Sequence, residues 1–271
     1  MQYCIRRRTH SGKKSHPHGS VIIIQARLLN AILVQVPTRA SSEDLAARVL
    51  FFNVGNGLLR PDRLKEAVEH SQADLIGLAE LTSTQANALR DLSELYPFQY
   101  LYGLGIPGKG LLSRWPLDGV ELLELHSARP DLRANVKLPT GNGSRTIQII
   151  VAHPPPQRTL LRTEQLKAIL KLATSGEPTL LMGDFNMVQA QAAYRVYRAA
   201  GLRDAYREAG IGRGFTYPVR RAGLRLRPLL RIDYIWYTQH LIAQRAWVGV
   251  DHGSDHLPLF AELFLQPDQP A

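Results

Sequence analysis

From Arg48 onward, short apolar runs alternate with stretches whose apolar residues recur every three or four positions, the texture of a layered α/β domain. Val49–Phe52 predicts a first strand. Pro61–His70 predicts a helix with Leu64, Ala67 and Val68 on one face, and Asp74–Ala79 a second strand ending at Glu80. Thr84–Leu95 follows as a helix stopped by Pro97. Strand patterns then recur at Phe98–Tyr102, Gly110–Ser113, Val120–His126, Leu132–Leu138 and Thr146–Ala152. Gln157–Ala173 is the longest amphipathic stretch; after it come an apolar strand from Leu180, a helix over Gln189–Ala200, and strands at Ile232–Tyr237, Ala246–Val250 and Leu257–Leu265.

The N-terminal pattern is different. Residues 1–20 have no apolar period and carry Arg6, Arg7, Arg8, Lys13 and Lys14, so they read as a basic arm. Val21–Val36 is apolar except for Gln25, Arg27, Asn30 and Gln35, which is short of the roughly 20 residues of a membrane span. A basic run followed by an apolar stretch resembles a targeting or anchor segment, and membrane association through it is an expectation. These textures divide the chain into an arm (1–47), one α/β domain (48–265) and a tail (266–271).

Composition changes this picture in two places. The single cysteine, Cys4, excludes a disulfide framework and a thiolate metal cluster and leaves the compartment open. The net charge of +10 would suggest a polyanionic partner, but it is unevenly placed. Residues 1–48 hold eight Lys/Arg against two Asp/Glu, leaving 25 against 21 for the remaining residues.

The chemistry sits where apolar strands stop. Five strands end in or beside a polar residue able to handle a metal or a phosphate: Asn53, Glu80, His153, Asp184 with Asn186, and Asp255 with His256. Five such coincidences point to one site at one edge of the sheets. Around them lie Phe52-Asn53-Val54, Asp74-Leu-Ile-Gly-Leu-Ala-Glu80-Leu, Gly110-Leu-Leu-Ser-Arg-Trp-Pro116, Val151-Ala-His153, Gly183-Asp184-Phe-Asn186, Arg231-Ile-Asp233-Tyr-Ile235 and Ser254-Asp255-His256-Leu-Pro258.

In this order and spacing the motifs resemble the endonuclease/exonuclease/phosphatase family, the DNase-I-like metal-dependent phosphoesterases, over roughly residues 48–265. The resemblance implies a four-layer α/β/β/α sandwich with two mixed sheets and a divalent-metal site, Mg2+ or Mn2+, at one end of them. It implies that Glu80 is the main metal ligand, helped by Asn53 and Asp255. Asp184 would orient or deprotonate the attacking water, and Asn186 would hold a phosphate oxygen. His256, paired with Asp233, would stabilise the transition state, with His153 contacting the phosphate from the other side. The chain departs from the family at Ala79, where Gln is common, and at Pro154-Pro-Pro156 after His153.

The substrate is less defined. Arg213, Arg220, Arg221, Arg225, Arg227 and Arg231 fall in a segment without an acid, and Arg213, Arg220, Arg221 and Arg231 are candidates for an anion clamp. A phosphorylated small molecule, a lipid-linked phosphate and a nucleic acid all remain open, and no obligate protein partner is inferred. Gly103-Leu-Gly105, the proline run and Gly214-Phe-Thr-Tyr-Pro218 also resemble the bacterial branch containing the teicoplanin-resistance protein VanJ, whose members act on undecaprenyl pyrophosphate.

Overall fold

A computed structural model describes residues 45–140, 143–157, 159–221 and 223–266. The basic arm, the apolar stretch after it and the last five residues lie outside the described residues. In chain order the elements are β1 (Leu45–Asn53), α1 (Pro61–His70), β2 (Leu75–Ala79), α2 (Ser83–Arg90), β3 (Phe98–Tyr102), β4 (Lys109–Ser113) and β5 (Leu117–Leu123). There follow β6 (Asp131–Thr140), β7 (Gly143–Ala152), α3 (Leu160–Ala173), β8 (Thr179–Asp184), α4 (Ala192–Ala199), β9 (Arg203–Asp204) and α5 (Ala205–Ala209). The last are β10 (Arg220–Arg221), β11 (Leu224–Arg225), β12 (Asp233–Tyr237), β13 (Leu241–Val248) and β14 (Leu259–Leu265).

Two six-stranded mixed sheets, ordered β13-β14-β1-β2-β4-β3 and β5-β6-β7-β8-β12-β9, pack face to face with helices outside. The period-two alternation of strand side chains explains the layers. Val49 and Phe51 point into the core between the sheets, whereas Leu50 and Phe52 meet Leu64 and Val68 of α1 and Leu89 of α2. On the other sheet Leu180 and Met182 face the central core. Leu181 packs with Leu166 and Ile169 of α3 and with Tyr194 and Tyr197 of α4. The α/β/β/α sandwich follows directly.

Element ends differ from the sequence pattern for identifiable reasons. β1 reaches back to Leu45 because it continues pairing with β14 as far as Phe264. α2 stops at Arg90, since Leu92 bonds to the Leu89 carbonyl three residues back and the chain tightens into turns before Pro97. α3 begins only after Thr159, whose side chain caps the Arg162 N–H. The short β9, α5 and the β10–β11 ribbon were not legible, because two-residue strands have no period.

Parallel pairing fixes where the site lies. β1 and β2 run together, as do β7 and β8, so Asn53, Glu80, His153 and Asp184 emerge at one end. Asp255 and His256 do not end a strand. They precede β14, which is antiparallel to β1 and therefore starts at that same end. Asp233 opens β12 directly across from Asp184 in the β12–β8 register.

Candidate active site

Two glycines bring the strand ends close enough to form the site. A Cβ on Gly183 would lie 2.2 Å from the Ala152 carbonyl oxygen, so β7 and β8 can carry His153 and Asp184 side by side only with glycine there. Gly55 sits at φ +71° with its Cβ position 2.8 Å from Asp255 Oδ1, which lets the loop after β1 pass against that carboxylate.

Asp184 is the centre of the cluster. Its Oδ1 accepts the Asn186 N–H at 2.9 Å and its Oδ2 the Asn53 side-chain amide at 3.1 Å. His153 Nε2 and His256 Nε2 stand 3.6 and 3.7 Å from Oδ2. Burial, reinforced by the negative charge of Asp233 and opposed by His256, lifts the Asp184 carboxyl to about 7. A carboxyl near that value can take up a proton at neutral pH.

His256 and Asp233 form a buried pair, with His256 Nδ1 2.9 Å from Asp233 Oδ2. Thr216 donates its hydroxyl to the same oxygen. Burial alone would depress the His256 pKa, but Asp233, Asp184 and Asp255 outweigh it and push it up to about 10. The ring is therefore an imidazolium at neutral pH, with Nε2–H directed to Asp184 and a face tilted against Tyr217 at 4.7 Å.

His153 is held in the opposite state. Burial first, then the charges of Lys109 and Arg129, drive its pKa well below the ordinary value. Arg129 Nη1 stands 3.1 Å from its Nε2, which in the neutral ring accepts that N–H. Two histidines of opposite charge state thus flank one carboxylate.

Sequence reasoning missed the groups that hold this side. Arg129 lies in the β5–β6 loop, and Asp131 accepts the His153 backbone N–H at 3.1 Å. Gln165 of α3 donates to Asp131 at 2.9 Å and to the Arg129 carbonyl at 3.2 Å. Arg162, one turn earlier, donates to the Phe185 and Asn186 carbonyls, and Asn186 donates its side-chain amide to Pro154. The polar residues Arg162 and Gln165 on the inner face of α3 were the available signal, because burial there demands partners.

The cation question turns on Glu80, which leaves β2 at φ +57°. Burial raises its pKa, Asn53 opposes this by hydrogen bonding, and the Asp255 charge adds to the rise. Crowded carboxylates of this kind are relieved by a hard divalent cation, so the donor set fits one. Asn53 Oδ1 accepts the Gly55 N–H at 3.0 Å while its NH2 faces Glu80 at 3.4 Å and Asp184 at 3.1 Å, so the amide steadies the two carboxylates, and its oxygen keeps a second lone pair. Ligand-type atoms of Asp184, Asp233 and His256 also lie within 4.8 Å of one another, a second group of donors at this end of the sheets.

The arginine clamp is only partly present. Arg231 is buried, paired through both terminal nitrogens with Asp204 at 2.9 and 2.6 Å, and stacked over Tyr234, so it serves the core and not the substrate. Arg220 pairs with Asp251 at 2.8 Å. Arg213 lies exposed over Phe215, and Arg221 is exposed beside Arg220. Arg231→Met should therefore destabilise the fold by about 3–5 kcal/mol by leaving Asp204 buried without its cation. Urea unfolding measures this, and a raised KM at unchanged stability would restore Arg231 to the substrate.

Comparison with known proteins agrees with this geometry. The family model described as Endonuclease/Exonuclease/phosphatase family matches residues 50–256. The uncharacterised protein YbhP of Escherichia coli K12 is 25% identical, with 83% of this chain and 98% of that protein covered. An endonuclease/exonuclease/phosphatase from Beutenbergia cavernae shares the fold with a TM-score of 0.65 at 19% identity, covering 82% of this chain and 72% of the other. So does the 3′ phosphatase NExo from Neisseria bound to product DNA hairpin, with a TM-score of 0.64 at 18% identity and coverages of 80% and 99%. The family match spans most of the chain, so the chain belongs to the endonuclease/exonuclease/phosphatase family.

Proposed function

We propose that this protein hydrolyses a phosphoester or pyrophosphate by attack of water, with a divalent cation, Mg2+ or Mn2+, bound beside Glu80 and Asp255. The observation carrying this reading is the geometry across Asp184: His256, held through Nδ1 by Asp233 at 2.9 Å, brings its Nε2 to 3.7 Å from the Asp184 carboxylate, with burial raising the carboxyl and the neighbouring carboxylates raising the histidine. Asp184 accepts the water's proton, while Asn53 fixes the orientation of its carboxylate. His256 presents Nε2–H to the phosphoryl oxygen on which charge grows, and Asp233 keeps that ring charged and oriented. His153 and Arg129 approach from the other side, where the guanidinium adds a second cation for the phosphate. When bound, the cation would stabilise charge on the phosphoryl oxygens.

A small or lipid-linked phosphate suits the site better than a polynucleotide, because Arg231 is spent in the core and Arg220 on Asp251. Exposed Arg213 and Arg221 favour a nuclease as the second reading. Turnover of phosphomonoester, phosphodiester, prenyl pyrophosphate and plasmid DNA, each with Mg2+ or Mn2+, separates the two. DNA cleavage that falls steeply with salt would select the nuclease. Glu80→Gln should weaken cation affinity by more than the about 10–100-fold typical of losing an outer-shell hydrogen bond. Undiminished activity after exhaustive EDTA, or in this variant, would remove the cation from the mechanism.

A further inference from the structure

Most of the exposed large apolar side chains among the described residues stand on loops leaving the active-site end of the sheets. The β3–β4 loop carries Leu104 and Ile106, and the β10–β11 ribbon with the strand-like segment after it carries Leu224, Leu226 and Leu229. Leu224 is 69% and Leu226 37% exposed.

The ribbon has two unlike faces. Arg220 is paired with Arg225 and Arg221 with Leu224 in an antiparallel register, so the two pairs point to opposite sides. Arg220 and Arg225 both turn to Asp251, at 2.8 and 3.2 Å. The opposite face presents Arg221 and Leu224, and Leu226 follows with the same parity. Residues 213–231 contain no acid, and among the described residues Arg221 on this face has no carboxylate partner. The outer face is therefore cationic and aliphatic together.

We propose that this face docks on an anionic lipid bilayer and sets the active-site mouth at the membrane surface, an inference that rests on the phosphoesterase reading and names the lipid-linked class as its substrate. Arginines interleaved with leucines match an interface in which guanidinium groups meet lipid phosphates while aliphatic chains enter the acyl boundary. A polynucleotide surface would instead need aromatic platforms for bases, and the exposed large apolar groups of this ribbon are leucines. The ribbon is also tied to the chemistry. Val219, one residue before it, donates its N–H to the Asp255 carbonyl at 2.8 Å, and Tyr217 lies against the His256 ring. A substrate headgroup arriving beside the ribbon meets the site without leaving the interface.

The test is co-sedimentation of the full chain with phosphatidylcholine vesicles, with and without phosphatidylglycerol, alongside turnover of a soluble phosphoester. The chain should bind only the anionic vesicles, and Leu224→Ser with Leu226→Ser should weaken that binding by about tenfold or more while leaving melting temperature and soluble turnover unchanged. Arg221→Gln should weaken it further. Equal binding by the parent and the leucine variant, including no binding by either, would overturn the proposal. So would binding that tracks Arg221 but not the leucines and is shared with duplex DNA. Absence of soluble turnover in the parent would count against the phosphoesterase reading alone, since vesicle binding is measured separately.

Discussion

His256→Ala should lower kcat by about two to four orders of magnitude, the range associated with losing a positioned acid or a charged hydrogen-bond donor in the transition state. The ring's position supports this. Nε2 faces the same space as Asp184 Oδ2, and burial would otherwise leave the imidazole neutral. Substrate binding should change much less, because the lost interaction grows with charge on the phosphoryl group. Asp233→Asn should reduce kcat by less, since Nε2 stays in place while the charge on the ring becomes harder to hold. Asp233 acts through His256, so the double change should cost less than the two single changes added together. Full additivity in a cycle measured at saturating cation, with folding checked for each variant, would separate the two residues.

Much of this site was legible because strands punctuate their own ends. A run such as Leu180-Leu-Met-Gly-Asp184 is apolar while buried between layers and turns polar where it emerges, so Asn53, Glu80, His153 and Asp184 could be read without knowing the fold. That they share one end follows from the parallel pairing of β1 with β2 and β7 with β8, which only the structure shows.

What escaped was carried by side chains whose meaning depends on partners far away in sequence. Arg231 looked like one more cation in a basic loop until Asp204 closed on it from the adjoining edge strand. That Asn53 also ties the Gly55 N–H and the Asp184 carboxylate together was equally invisible. Arg129 and Asp131 looked like loop residues, because only α3, through Gln165, reveals that they are clamped together beside His153. Composition and periodicity report burial; they do not report which buried charge answers which.

Asp184→Asn is the more demanding change, because it alters both rate and pH dependence. In the mechanism proposed above, the active form needs Asp184 ionised and His256 protonated. With Asp184 near 7 and His256 near 10, kcat/KM should rise with pH through the first value and fall through the second. The two groups interact, so these limbs belong to the pair. A bound cation adds positive charge near Asp184 and should move the acid limb downward as its concentration rises. His256→Ala should move the remaining acid limb upward, since the histidinium is what most strongly opposes the effect of burial on Asp184. In Asp184→Asn the acid limb should vanish and kcat fall by about 100- to 10,000-fold at its former optimum, with the asparagine still able to reach Asn186 and so retain the turn. If that variant instead keeps near-normal kcat and an acid limb near 7, the water's proton goes to another group, and Glu80, the remaining carboxylate with a raised pKa beside Asn53, becomes the residue to test.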